Sequence, residues 1–151
     1  MKKFFKALSI VLCFLILISS FCGCGKKRER IVDVVSTASS VFINGEQNET
    51  VEAAMGAFKG KQGDYIEFRF SEPQEINTVF ITEKTATVRQ FNIYAEIDGA
   101  FQLIHTGKMI FAENITFDTV TATALKFIVV NTEIGQDEFI IQSISAYNIT
   151  E

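Results

Sequence analysis

Asp64-Tyr65-Ile66-Glu67-Phe68-Arg69-Phe70 is the stretch that decides the fold. Ile66, Phe68 and Phe70 fall on one face of an extended chain, and Tyr65, Glu67 and Arg69 on the other. Successive side chains of a strand point to opposite faces, so this period of two describes a strand buried on one side. Gln90–Ile97 repeats the scheme, with Phe91, Ile93, Ala95 and Ile97 facing inward. Ile76–Thr82, Phe101–His105, Asn114–Phe117, Ala124–Val130 and Phe139–Tyr147 are read as further strands. Asp98-Gly99 between two such runs signals a tight hairpin, because both turn positions can take positive φ. Pro73, the only proline, is expected in a turn between strands, where its missing N–H harms no ladder. Short strands recurring about every 10 residues point to an all-β sandwich or barrel. Phe68, Phe70, Phe80, Phe91, Phe117 and Phe127 are expected as core rings. Val51–Phe58 is the one segment that suits a short helical turn.

The chain before this region has another character. Met1-Lys2-Lys3-Phe4-Phe5-Lys6 is basic, Ala7 to Phe21 is apolar, and Phe21-Cys22-Gly23-Cys24-Gly25 follows. A basic start, an apolar run and a small residue before a cysteine form an export signal. The segment resembles a bacterial lipoprotein lipobox, which implies a lipid on Cys24 as the new N-terminus. Phe21 stands where that pattern usually has Leu. An uncleaved anchor is the alternative, since Phe4–Gly23 is about 20 residues, near the lower limit for a spanning helix. Either way the positive charges stay in the cytoplasm and the rest of the chain lies outside it. The expected organisation is a signal peptide over 1–23, a lipidated cysteine and basic linker over 24–31, and one domain over 32–151.

Charge and cysteine usage divide along the same line. Cys13, Cys22 and Cys24 all lie in the leader, which leaves the domain without a disulfide framework, a thiol nucleophile or a thiolate metal site. Lys26, Lys27, Arg28 and Arg30 form a basic collar after Cys24. Such a collar adds about 1 kcal/mol per residue to attachment on anionic lipid, or serves as a solvated spacer. From Ile31 onward seven Lys or Arg face 17 Asp or Glu, a net charge of −10. An acidic domain without a clustered basic face is a poor partner for nucleic acid.

The order of segments from Ser36 to Tyr147 resembles a discoidin, or coagulation factor 5/8 type C, domain. Ser36-Thr37-Ala38-Ser39-Ser40 is similar to its opening. Asp64–Phe70 followed by Ile76–Glu83 is similar to its early pair of core strands. Val88–Tyr94 with Asp98-Gly99 is similar to its hairpin, Thr121–Phe127 to its "T-A-R-Y-V-R" strand, and Ile141–Tyr147 to its closing strand. The resemblance implies a jelly-roll β-sandwich of the galactose-binding-like type that binds glycans, or in some cases phospholipid or protein, through loops at one end. Two of the family's calcium elements are missing. Val51–Lys61 stands in place of its early glycine- and tryptophan-containing segment, and Ser143 stands in place of its closing glutamate. Calcium needs several hard oxygen ligands, so no metal and no cofactor are expected.

The resemblance places the ligand on the loop after the second core strand, which here runs from Glu83 to Val88 and is closed by Arg89. Arg89 offers a fixed fork of donors, with a salt bridge to a neighbouring acid as the plainer reading. Phe58 is the first choice for a stacking ring, with a hydrophobic plug as its alternative. Asn131 ends a strong strand and could donate from a facing loop. His105, the only histidine, has no orienting partner at any suggestive spacing, and no catalytic constellation is found. The expectation is a membrane-anchored binding module for carbohydrate or envelope glycan. A non-catalytic scaffold that binds another envelope protein is the alternative, and a hydrolase has the least support. Labelling of cells with radioactive fatty acid tests the anchor. Incorporation should be lost in Cys24→Ala and kept in Cys22→Ala, and label surviving in Cys24→Ala would contradict the lipobox.

Overall fold

The computed structural model describes residues 31–48 and 58–149. The stretch from Ile31 to Glu151 forms a compact unit of its own. Cys24 and the leader lie outside the described residues, as does the expected helical turn apart from Phe58.

Among the described residues a 3-10 turn, Val35–Thr37, leads into eight strands. They are β1 (Ser40–Ile43), β2 (Glu46–Asn48), β3 (Phe58–Lys61), β4 (Tyr65–Glu83), β5 (Val88–Ile97), β6 (Ala100–Gly107), β7 (Asn114–Thr132) and β8 (Glu138–Tyr147). Every pairing is antiparallel.

β4 and β7 are 19 residues each. A straight strand of that length would reach about 60 Å, more than four times the radius of gyration of about 14 Å expected for a domain of this size. The two strands therefore bend together. They pair from Tyr65↔Ile128 to Arg69↔Ala124, slip register, and resume from Gln74↔Ala122 to Phe80↔Asn114. Before the bend they belong to the layer β2-β1-β4-β7-β5-β6. After it, β4 pairs with β8 and β8 with β3, which builds the second layer. The result is the expected sandwich, with the ladder continuous through both layers.

Two pairs of expected strands are thus single bent strands. Asp64–Phe70 joins Ile76–Thr82, and Asn114–Phe117 joins Ala124–Val130, because hydrogen bonding resumes across the bend. Pro73 falls inside β4, but in the gap between paired Arg69 and Gln74, so its missing N–H removes no ladder bond.

The core follows the alternation. Phe68, Phe91 and Phe127 are buried as expected, joined by Phe139, and Phe70 closes the margin. Phe80 departs from the expectation and is half-buried. Ile76 and Val79, three residues apart, are both buried, so the inward parity of β4 changes beside the register irregularity between Ile76 and Thr78. Val79 and Ile81 therefore turn inward and Phe80 outward. Phe117 is also half-buried, packed at the edge of the core.

Asp98 and Gly99 take φ of 53° and 78°, and Ile97 pairs Ala100 across them. This is the tight turn that Asp-Gly signals. Asn44-Gly45 makes a second one, with φ of 51° and 87° between paired Ile43 and Glu46.

Gly107 sits under Phe91, its ladder partner. A Cβ there would lie 2.1 Å from Cζ of Phe91. Gly107→Ala should therefore destabilise the protein by about 1–3 kcal/mol, the usual cost of overpacking. Urea unfolding of the full-length protein measures it, and an unchanged midpoint contradicts the packing described.

Candidate functional site

Both ends of the bent ribbon return to one end of the sandwich, and the loops meet there. The β4–β5 loop is organised by Glu83. Its Oε1 accepts from the backbone N–H of Thr87 at 2.9 Å and of Val88 at 3.0 Å, and from the Thr87 hydroxyl. Its Oε2 is buried without a hydrogen-bond partner. The Lys84 amide donates to the Ile140 carbonyl at 2.9 Å and ties the same loop to β8.

Arg89 joins this loop to the next. It donates to the carbonyls of Ala86 at 3.0 Å and Val88 at 3.3 Å, and it pairs with the carboxylate of Glu133. The Glu133 amide donates to the Thr87 carbonyl at 2.7 Å, so backbone and side chain lace the β4–β5 and β7–β8 loops together. Asn131 stands at the start of the second loop, where its Oδ1 accepts from the Thr132 amide at 3.0 Å.

Two further turns close the same end. Asp64 accepts from the Lys61 amide at 2.7 Å and from Asn44 Nδ2 at 2.9 Å, while Asn44 Oδ1 accepts from the Tyr65 amide at 2.9 Å. The Gly63 amide reaches the Val129 carbonyl at 2.8 Å.

The structure brings three of the four expected binding residues, Glu83, Arg89 and Asn131, to one end. Their side chains are engaged in building it. Glu83 is a loop cap, and Arg89 takes the salt bridge that was its plainer reading. Phe58 is a correction. It opens β3 opposite Ile141, is only 2% exposed, and meets Phe139 edge-on with ring centroids 5.2 Å apart. Gly60, two residues on, leaves room for that ring, since a Cβ there would lie 2.7 Å from Phe139 Cζ. Phe58 is a core plug and has no free face for stacking. What the loop end does present is Ile134, 97% exposed at the β7–β8 tip, with exposed Gln136, Asp137 and Lys84 around it.

A second cluster escaped sequence reasoning. On the outer face of the first layer Glu67 is only 5% exposed. Its carboxylate binds Arg69 at 2.7 Å and Lys126 at 3.0 Å, and Arg69 reaches on to Glu96 at 3.5 Å. Lys126 lies 3.5 Å from the ring centroid of Phe101 and 5.0 Å from that of Tyr65. The alternation puts Tyr65, Glu67 and Arg69 outward, as the structure has them, but period two alone does not say that an outward face is covered. The register does, since Glu67, Lys126 and Tyr94 lie side by side on β4, β7 and β5.

His105 packs 6.0 Å from the Phe91 ring. Burial lowers its pKa below the ordinary histidine value. Ser143 bonds Thr82 through their hydroxyls at 2.6 Å. Among the described residues no three His, Cys, Asp or Glu side chains converge as a metal site would require.

No protein-family model matches the chain, and no curated protein matches it. Solved structures do. The family 32 carbohydrate-binding module of Streptococcus pneumoniae EndoD superimposes with a TM-score of 0.64 at 15% identity, over 78% of this chain and 100% of that module. Chitosan-binding module 1 of a Paenibacillus sp. IK-5 chitosanase/glucanase gives 0.63 at 13% identity, over 79% and 100%. The family 32 module of Clostridium perfringens NanJ, solved with galactose, gives 0.57 at 12% identity, over 72% and 92%. A Bacteroides thetaiotaomicron chain named as an α-L-fucosidase matches 64% of this chain with a TM-score of 0.53 at 23% identity, and this chain spans 22% of its length. These likenesses show the fold, a β-sandwich like that of the modules it superimposes on.

The lowered pKa of His105 has a consequence for stability. Below the unfolded-state pKa of about 6.5 the unfolded chain takes up a proton that the folded one resists. Stability should therefore fall as pH drops from 7 through 6.5 toward 5.5, and His105→Gln should flatten that decline. Urea midpoints across this window measure it, and identical slopes in both proteins would contradict the assignment.

Proposed function

We propose that this protein is a non-catalytic carbohydrate-binding module, held on the extracytoplasmic face of a bacterial membrane by a lipid on Cys24. One observation carries the binding function. The domain matches modules whose names give glycans as ligands, and it matches nearly their whole length. The fucosidase match covers a small part of that enzyme, which fits a domain that accompanies catalysis in other chains.

The geometry supports presentation outward. The chain enters the sandwich beside the last strand, where the Val34 amide donates to the Ala146 carbonyl at 2.8 Å and the Ala146 amide to Asp33 Oδ1 at 3.0 Å. Ala146 lies eight residues along β8 from Glu138, about 27 Å at the usual strand rise. The described part of the domain is therefore entered at the end of β8 away from the β4–β5 and β7–β8 loops. At those loops Asn131, Gln136 and the exposed edge of Arg89 are the planar polar groups available to sugar hydroxyls. The Arg89–Glu133 pair fixes the loops before a ligand arrives, which lowers the ordering cost of binding.

A second reading is favoured by the exposed apolar side chains. Ile134 is 97%, Phe111 56% and Leu103 53% exposed. Such residues suit a contact with another envelope protein, and the module would then be an accessory subunit.

A glycan array probed with the full-length protein in phosphocholine micelles separates the two. Retention on a defined class of glycans, weakened at least tenfold in Arg89→Ala, is expected. Absence of retention on any glycan, with a stoichiometric protein partner co-purifying from membranes, would overturn the carbohydrate reading.

A further inference from the structure

The opposite end of the sandwich carries a feature that the loop-end reading does not use. Where the ribbon bends beside the Asp98-Gly99 turn, there is an open depression of about 510 Å³. Ligand sites commonly fall between about 300 and 1,000 Å³. The hydroxyls of Thr119, Thr121 and Thr123 and the carboxylates of Glu96 and Asp98 supply its polar lining. Pro73, Ile97 and Val120 supply an apolar part.

Glu96 makes this more than a surface hollow. The Thr123 hydroxyl donates to its Oε2 at 2.7 Å, and Arg69 Nη1 lies 3.5 Å from the same oxygen. Arg69 is itself held by buried Glu67 at 2.7 Å, and Glu67 by Lys126 at 3.0 Å. The ionic array on the outer sheet face thus ends at the depression and fixes an acceptor there in advance. Two features found separately, a concavity and the charge network around buried Glu67, share Glu96.

The lining selects its ligand by chemistry. A pyranose has a rim of hydroxyls and a C–H face, which match the hydroxyl and carboxylate groups and the Pro73, Ile97 and Val120 surface respectively. Among the described residues Glu96 is paired with Arg69 while Asp98 pairs with no cation, so a sugar that bears its own carboxylate meets the Asp98 charge at close range. We propose that this depression is a second ligand site, which takes a hexose without a carboxylate. The proposal rests on the reading of the protein as a carbohydrate-binding module.

Residue-resolved amide NMR of the full-length protein in phosphocholine micelles tests it. Galactose, mannose, N-acetylglucosamine and galacturonate are titrated separately. At least one neutral sugar should shift the amides of Gly99, Thr121 and Thr123 saturably, and galacturonate should do so at least tenfold more weakly. Thr121→Trp, at an exposed position, fills the depression. It should abolish those shifts and leave any at Lys84 and Gln136 unchanged. Neutral sugars that move only Lys84 and Gln136 would overturn the second site and spare the binding function. Equal response to galacturonate at Gly99 and Thr121 would overturn the selectivity and with it the proposal. No shift with any sugar would overturn this inference, while the array result decides the parent reading.

Discussion

The β4–β7 ladder crosses the gap between Arg69 and Gln74 without ending, and the remaining architecture hangs on that continuity. Antiparallel pairing with β7 is lost from Phe70 to Pro73 and recovered at Gln74. A proline is tolerated there because the position is unpaired. Each half of the ribbon then recruits its own neighbours. The first gathers β1, β2, β5 and β6, and the second gathers β8 and β3. Neither layer could bury its apolar face alone. Phe68 and Phe127 on one side and Ile81, Phe139 and Ile144 on the other close a common core.

Folding the ribbon back gives the molecule two chemically different ends. At one end four connections are laced by Glu83, Arg89, Glu133, Asp64 and Asn44. At the other lie the bend, the Asp98-Gly99 turn and the depression that Glu96 borders. Between them the outer face of the first layer holds Glu67 out of water, which is costly unless the charge is paired and hydrogen-bonded. Arg69 and Lys126 meet that requirement together, and Lys126 shields one face of Phe101. A buried pair of this kind contributes to geometry more dependably than to net stability. Here the geometry is the placement of Glu96.

Most of the fold was legible because burial on one face leaves a period of two in the sequence. Ile66, Phe68 and Phe70, and Phe91, Ile93 and Ala95, lie inside as that period requires. The segment order that resembles a discoidin domain led to the right sandwich. Two kinds of information were not in the pattern. A register irregularity leaves no compositional mark, so Phe80 was assigned inward and the bent strands were counted as pairs. Partners across the sheet are equally hidden, so Phe58 read as a loop aromatic until β8 was seen beside it. Asn44-Gly45 is a different case, since Asn-Gly is itself a hairpin signal in the sequence. At the loop end the sequence pointed to Glu83, Arg89 and Asn131 but did not identify Glu133, 44 positions from Arg89, as the acid that Arg89 pairs with.

The β4–β7 ribbon folds back and brings its two ends together. Gln62 and Lys84 flank those ends and are both exposed. Spin labels carried there on unnatural residues leave Cys13, Cys22 and Cys24 untouched and report the distance directly. A straight ribbon would hold them roughly 70 Å apart. Two layers packed about 10 Å apart should bring them within roughly 30 Å, label arms included. A distance distribution in that range is the result expected for the full-length protein. One centred beyond roughly 50 Å, near the span of an extended strand, would contradict the folded ribbon and the convergence of loops that follows from it.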